Sequence, residues 1–187
     1  MTDILEDFLV PLGVIALAEL GDKTQVSLLL LTSQTRRRLH LLAGVMLAFF
    51  IVDGVAIAAG AWVATVVPER LLRLTSAAVF IAFGAYMLLS PQEKEETSLF
   101  RRGAFTSGFL LILATEWGDK TQLAAALFAT RFHPWLVLGG TLAALAALSA
   151  AAVLLGGLVA EKVDRRSLTL TAGVLFVALG VAFALLP

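Results

Sequence analysis

A short charged segment occurs twice in this chain. Residues 18–25 read AELGDKTQ and residues 115–122 read TEWGDKTQ. Each copy holds a glutamate and an aspartate three residues apart, a spacing that projects both carboxylates from one face of a helix. Carboxylate oxygens suit hard divalent cations such as Ca²⁺, Mg²⁺ and Mn²⁺. The sequence therefore predicts a metal site whose ligands are Glu19, Asp22, Glu116 and Asp119.

The other residues of the segment indicate accessory roles. A glycine between the two acids allows close helix approach or local unwinding that exposes carbonyl oxygens. Threonine and glutamine add neutral oxygens one turn later. The lysines either hold the carboxylates apart or act as tethered counter-ions, and their spacing does not decide between these roles. The accessory residues are Gly21, Lys23, Thr24, Gln25, Gly118, Lys120, Thr121 and Gln122.

The composition of the chain indicates where these charges lie. Of 187 residues, 59% are hydrophobic and 15% are charged, whereas soluble proteins have about 45–50% apolar and about 25% charged residues. Lysine and arginine together number 14, as do aspartate and glutamate, so no basic excess favours binding to nucleic acid. The chain has no cysteine, which excludes disulfides and thiolate metal sites. These features predict an integral membrane protein.

Six apolar runs are long enough to cross a bilayer as helices. The nine basic residues after the first, third and fifth runs outnumber the three on the opposite side, so the positive-inside rule places both termini outside the cytoplasm. The acidic start of the chain, with Asp3, Glu6 and Asp7, is expected to be a solvated terminus with no signal peptide. The expected spans are Ile4–Leu31, Leu41–Val67, Leu72–Leu89, Ala104–Thr130, Leu136–Ala160 and Leu168–Leu186.

Weaker matches extend the duplication beyond the charged segment. Residues 42–44 align with residues 138–140, and Phe80 aligns with Phe176. The chain therefore divides into residues 1–90 and 104–187, joined by a cytoplasmic linker at residues 91–103. Because each half has three spans, the second half enters the membrane in the opposite sense, as in secondary transporters. The predicted fold is an all-α membrane protein with six transmembrane helices in two inverted three-helix repeats.

The charges of the two segments predict a reaction. Four carboxylates and two ammonium groups leave a net charge of −2, which is unfavourable in a poorly solvated interior. One divalent cation neutralises this excess, and so do two protons, since crowded carboxylates hold protons more tightly. The sequence thus predicts exchange of a metal ion for about two protons. No catalytic residue and no cofactor are expected, because the metal is the transported substrate.

Asp53 is a further acidic residue deep in the second apolar run. An ionisable group at this depth often belongs to an ion or proton pathway. The sequence leaves two interpretations of Asp53 open. It serves the site, as a proton relay or an accessory ligand, or it is a neutral carboxylic acid that is hydrogen-bonded between helices.

The duplicated pattern E-x-G-D-[KR]-[TS] resembles that of the cation/proton exchangers once catalogued as uncharacterised protein family 16. Eukaryotic relatives in that family are Golgi and chloroplast manganese and calcium transporters. Both copies in this chain fit the pattern at every specified position, and the resemblance covers the whole chain. It implies a proton-driven transporter of Mn²⁺ and/or Ca²⁺ with the motif acids as ligands. It also suggests a bacterial plasma-membrane member that exports the ion.

Other functions remain to be separated from this one. The main alternative is an exporter of a small organic cation or amino acid with the acids as counter-ions. A passive channel would conduct without proton coupling. An intramembrane aspartyl protease using Asp22 and Asp119 is disfavoured, since the symmetrical lysines have no part in a carboxyl dyad. The choice between Mn²⁺ and Ca²⁺, the stoichiometry, the number of sites and the formation of a homodimer are left open.

Overall fold

The computed structural model describes residues 4–89, 103–155 and 165–185. These ranges contain eight α-helices and no β-strand, which confirms the all-helical prediction. The residues of the expected cytoplasmic linker before Gly103 and the end of the fifth expected span lie outside the described residues. The helices are α1 Ile4–Glu19, α2 Lys23–Gln34, α3 Arg38–Val66, α4 Glu69–Leu89, α5 Ala104–Thr115, α6 Lys120–Ala129, α7 Pro134–Leu155 and α8 Arg165–Leu185.

The first and fourth expected spans are not continuous helices. The run Ile4–Leu31 is broken between α1 and α2, and the run Ala104–Thr130 is broken between α5 and α6. Gly21 has φ 78° and Gly118 has φ 82°, values at which a right-handed helix cannot continue. The sequence left close helix packing and local unwinding open at these glycines, and the structure shows unwinding, so each charged segment lies at a helix break.

The other spans differ from the expected ones mainly at their ends. α3 begins at Arg38 and α4 at Glu69, three residues before the apolar runs, because charged residues continue these helices beyond their apolar parts. Among the described residues, Arg38–Val66 and Pro134–Leu154 are long and apolar enough to cross a membrane, and α5 is a shorter apolar helix.

The helices of the two halves interlock. α1 packs against α7, and α5 packs against α3, so each half places its first helix against the other half. α3 also contacts α7, while α4 lies along α8. The side chains of Ile15, Val45, Ile112 and Val137 are fully buried at these contacts. The charged segments therefore lie between the two halves rather than within either one.

Glycines allow the closest approaches between the halves. A Cβ added at Gly44 would overlap the carbonyl oxygen of Phe105, and one added at Gly140 would overlap the carbonyl oxygen of Phe8. Gly44 and Gly140 are equivalent in the sequence repeat. The same backbone contact thus occurs twice, once between α3 and α5 and once between α7 and α1.

The start of α1 is not solvated as expected. Asp7 is 2% exposed, and its Oδ2 accepts a hydrogen bond of 3.0 Å from the backbone N–H of His133. His133 immediately precedes α7, and the unpaired N–H groups at a helix start favour a carboxylate. The expectation is therefore wrong for Asp7, whereas Glu6 is exposed and Asp3 lies outside the described residues.

The glycine contacts predict that two glycine-to-alanine substitutions on α3 differ in their effect on thermal stability. Gly44→Ala places a methyl group against the Phe105 backbone, and such overpacking costs about 1–3 kcal/mol. Gly54→Ala is the matched control, since a Cβ at Gly54 meets nothing within 4 Å and alanine favours a helix by up to ~1 kcal/mol over glycine. Thermal unfolding of the purified proteins in detergent should show a lower midpoint for Gly44→Ala only. Equal midpoints for the two variants would contradict the assigned contact.

Candidate cation site

Both helix breaks share two internal hydrogen bonds. The N–H of Gly21 donates to Oε1 of Gln25 at 3.1 Å, and the N–H of Gly118 donates to Oε1 of Gln122 at 2.6 Å. The N–H of each motif aspartate donates to the carbonyl oxygen of the glutamate three residues before it, at 3.1 and 3.2 Å. The glutamines therefore stabilise the unwound backbone. From the sequence they were expected only to supply neutral oxygen atoms to a cation.

The two segments meet through reciprocal contacts. The hydroxyl of Thr121 donates a hydrogen bond to Oε1 of Glu19, and the hydroxyl of Thr24 donates one to Oε1 of Glu116. Glu19 is 4% exposed and Glu116 is 3% exposed. Each motif glutamate is thus buried and is oriented by the threonine of the other copy.

Three of the four expected ligands form one cluster. One carboxylate oxygen from each of Glu19, Asp22 and Asp119 lies within 4.8 Å of the others. A cation that binds oxygens at about 2.0–2.6 Å can bridge atoms at this spacing. Glu116 lies outside this group of three, and its Oε2 has no hydrogen-bond partner among the described residues.

Lys120 is a basic residue that contacts all three carboxylates of the cluster. Its Nζ lies 2.9 Å from Oε1 of Glu19 and 3.5 Å from Oδ2 of Asp119, and it also contacts Oδ2 of Asp22. The single ammonium group therefore reaches carboxylates from both halves of the chain. Lys23 holds the equivalent position at the start of α2, but its side chain lies outside the described part of the structure.

The cluster combines excess negative charge with limited access. Among the described side chains, three carboxylates face the ammonium group of Lys120, and these four groups have a formal charge of −2. The side chain of Glu19 is 5% exposed, whereas those of Asp22 and Asp119 are 23% and 26% exposed. The two aspartates are thus the more accessible members of a charged cluster that water screens poorly.

Asp53 lies beside the cluster. It is 1% exposed, its Oδ2 has no hydrogen-bond partner in the described ranges, and it interacts electrostatically with Glu19 and Asp119. The carbonyl of the preceding residue, Val52, accepts a hydrogen bond of 3.1 Å from the side-chain amide of Gln122. α3 therefore carries an acidic group next to the motif residues, as the role of relay or accessory ligand for Asp53 requires.

An aromatic group near Lys120 was not identified from the sequence. The ring centroid of Phe80 lies 5.6 Å from that of Phe176 and 5.4 Å from that of Phe128. Lys120, Phe80 and Phe176 lie close together where α4, α6 and α8 meet. The alignment of Phe80 with Phe176 in the repeat was the one sequence feature that pointed to this aromatic group. Aligned phenylalanines in apolar helices, however, do not distinguish a functional site from ordinary packing.

Comparison with known proteins identifies relatives that share most of the chain. The sequence matches the family described as "Divalent cation/proton antiporter GDT1" over residues 7–95 and 104–186. It is 33% identical over 174 residues to the "Putative manganese exporter" of Vibrio cholerae, covering 90% of this chain and 86% of that protein. It is 26% identical over 195 residues to "GDT1-like protein sll0615" of Synechocystis sp., covering 92% and 94% of the two chains. No solved structure matches the chain.

The helix break predicts a specific effect at Gly118. Its φ of 82° is unfavourable for L-residues with a Cβ, and the left-handed conformation costs about 1–2 kcal/mol. A Cβ at this position meets nothing within 4 Å, so Gly118→Ala should lower the thermal midpoint through backbone strain alone. Gly118→Asn is the matched variant, because asparagine tolerates this conformation better. Equal destabilisation by alanine and asparagine would argue against strain as the cause.

Proposed function

This chain belongs to the divalent cation/proton antiporter family GDT1, and we propose that it binds the exchanged cation through Glu19, Asp22 and Asp119. The observation that carries this proposal is the cluster of three carboxylate oxygens within 4.8 Å, contributed by both copies of the motif. The members of this family are transporters, and the chain exchanges a divalent cation for protons. Glu116 is proposed as a fourth acidic group that contributes to the site after rearrangement.

We propose Mn²⁺ as the exported cation. Oxygen ligands suit both Mn²⁺ and Ca²⁺, so Ca²⁺ should compete for the same carboxylates. The name of the Vibrio cholerae relative supports manganese and supports export. Export also agrees with a plasma-membrane protein whose basic loops face the cytoplasm.

Proton coupling follows from the charge of the cluster. A divalent cation or two protons offset the formal charge of −2, but steric exclusion and charge repulsion disfavour binding both together. Protons and metal therefore compete for the same oxygens, and the apparent affinity for metal should fall as the pH is lowered. Alternate occupancy of this kind makes the downhill movement of protons drive the uphill movement of the metal.

We further propose that the helices form six spans in two inverted repeats. α1 with α2, and α5 with α6, then form one broken span each, as in other secondary transporters. α4 and α8 each have 21 residues, which at 1.5 Å per residue is about 31 Å, enough to cross a bilayer. The equivalent contacts of Gly44 with Phe105 and Gly140 with Phe8 support this arrangement.

Orientation and assembly follow from the same arrangement. Residues 1–90 and 104–187 are the proposed repeats, the linker at residues 91–103 is cytoplasmic, and both termini lie outside the cytoplasm of the plasma membrane. The two segments that match the family, 7–95 and 104–186, follow this division closely. Because one chain carries both copies of the motif, a homodimer is not required to complete the site.

The proposed ligands can be tested in proteoliposomes. Wild-type protein should accumulate Mn²⁺ in vesicles with an acidic interior, and an ionophore that removes the pH gradient should abolish the accumulation. Glu19→Gln removes a ligand and a proton carrier together, so the rate should fall by about 100-fold or more. Glu6→Gln is the matched control on α1, since Glu6 is exposed at the start of the same helix.

Two results would count against this assignment. Uptake of Mn²⁺ at a rate that does not depend on the pH gradient would indicate a channel rather than an antiporter. Equal rates for Glu19→Gln and Glu6→Gln would remove Glu19 from the ligands.

Asp53 is proposed as a proton relay between the cluster and the aqueous phase. Its carboxyl group is buried and lies within electrostatic range of Glu19 and Asp119. A carboxyl group can bind and release a proton, whereas the side-chain amide of asparagine cannot. Asp53→Asn should therefore lower the maximal rate and flatten the dependence of transport on pH, with little change in the binding of Mn²⁺. A variant with the pH profile of the wild type would exclude the relay.

A further inference from the structure

We propose that Lys120 is a tethered competitor of the transported cation. This inference rests on the proposed function, because it assigns a role at the same cluster of carboxylates. In the absence of metal the ammonium group neutralises part of the cluster, and metal binding displaces it. Lys120 thereby weakens the binding of metal and speeds its release.

The contacts of Lys120 make the two cations mutually exclusive. The carboxylates that offer oxygens within 4.8 Å of one another belong to Glu19, Asp22 and Asp119. Nζ of Lys120 contacts these same three groups. A cation bridging the three oxygens would lie within the space that the ammonium group and its hydrogen bonds require. The four-carbon stem of lysine is flexible, so the ammonium group can move aside without movement of α6.

The charge balance distinguishes this role from that of a structural ion pair. A structural ion pair matches one cation with one anion, and the loss of either partner leaves a buried charge. Here the one ammonium group of Lys120 contacts three carboxylates, so these four described groups keep a formal charge of −2 with Lys120 in place. Asp22 and Asp119 are also about a quarter exposed. The cluster thus retains both the charge and the access that a second cation needs.

Competition of this kind affects affinity and rate in opposite ways. A displaced ammonium group that stays nearby repels the bound divalent cation, which raises its dissociation constant. Removing the charge should strengthen the binding of metal and slow its release. A purely structural lysine would behave differently, because its loss would damage the site and weaken the binding of metal.

Lys120→Gln tests the proposal in proteoliposomes at a fixed pH. We expect the KM for Mn²⁺ to fall by roughly tenfold or more, by repulsion between like charges, and the maximal rate to fall as well. Lys120→Arg keeps the positive charge and should have a KM near that of the wild type. A KM in Lys120→Gln that is unchanged or raised would overturn the proposal. Absence of Mn²⁺/H⁺ exchange in the wild type would instead refute the proposed function.

A single-cysteine variant separates the effect of the positive charge at position 120 from the effect of side-chain size. The chain has no cysteine of its own, so Lys120→Cys introduces one thiol that reagents can modify. Alkylation with bromoethylamine creates a cationic lysine analogue, and alkylation with iodoacetamide creates a neutral adduct of similar size. Binding of Mn²⁺ to the purified protein should weaken to the wild-type value only with the cationic adduct. Equal affinities for the two adducts would overturn the proposal even if transport by Lys120→Gln is too slow to measure.

Discussion

Surplus negative charge in an apolar interior is the constraint on which the rest of the structure depends. In the part of the chain that the structure describes, three carboxylates contact the ammonium group of Lys120 at the meeting point of the two halves. Such a cluster is unfavourable in a low dielectric unless cations or protons offset its charge. Selection for packing alone would replace these groups with apolar residues, so their presence twice in the chain indicates that the imbalance is used. An antiporter needs a site whose charge is neutralised when either substrate is bound. The same charge is left unbalanced when neither substrate is bound.

The backbone makes this cluster accessible from two helices. Gly21 and Gly118 end α1 and α5 in a left-handed conformation, and the next helices begin beside the acids. Thr24 and Thr121 then bind the glutamate of the opposite copy. Because these bonds cross between the halves, movement of one half against the other must alter both glutamates together. With the cation bound as proposed, its binding and a rearrangement of the helices would be linked through these hydrogen bonds.

The sequence predicted which acids are candidate ligands, but not how they are arranged. The repeat and the spacing of Glu19 and Asp22 were enough to select them as candidates, because charges at membrane depth rarely occur without a function. The break at Gly21 was one of two interpretations, since glycine serves close packing and unwinding equally well. Apart from the meeting of the two charged segments, individual contacts between distant residues had no signal in the sequence. The carboxylate of Asp7 at the start of α7 and the contact of Lys120 with Glu19 depend on tertiary packing.

The stoichiometry of proton release tests the central claim most directly. Purified protein in weakly buffered solution is titrated with Mn²⁺ while the released protons are measured, since ligands must lose their protons to bind a metal. If metal and protons alternate at one cluster, about two protons should be released for each Mn²⁺ bound, near a pH at which the metal-free site is protonated. Binding of Mn²⁺ without any release of protons across the pH range would contradict the account.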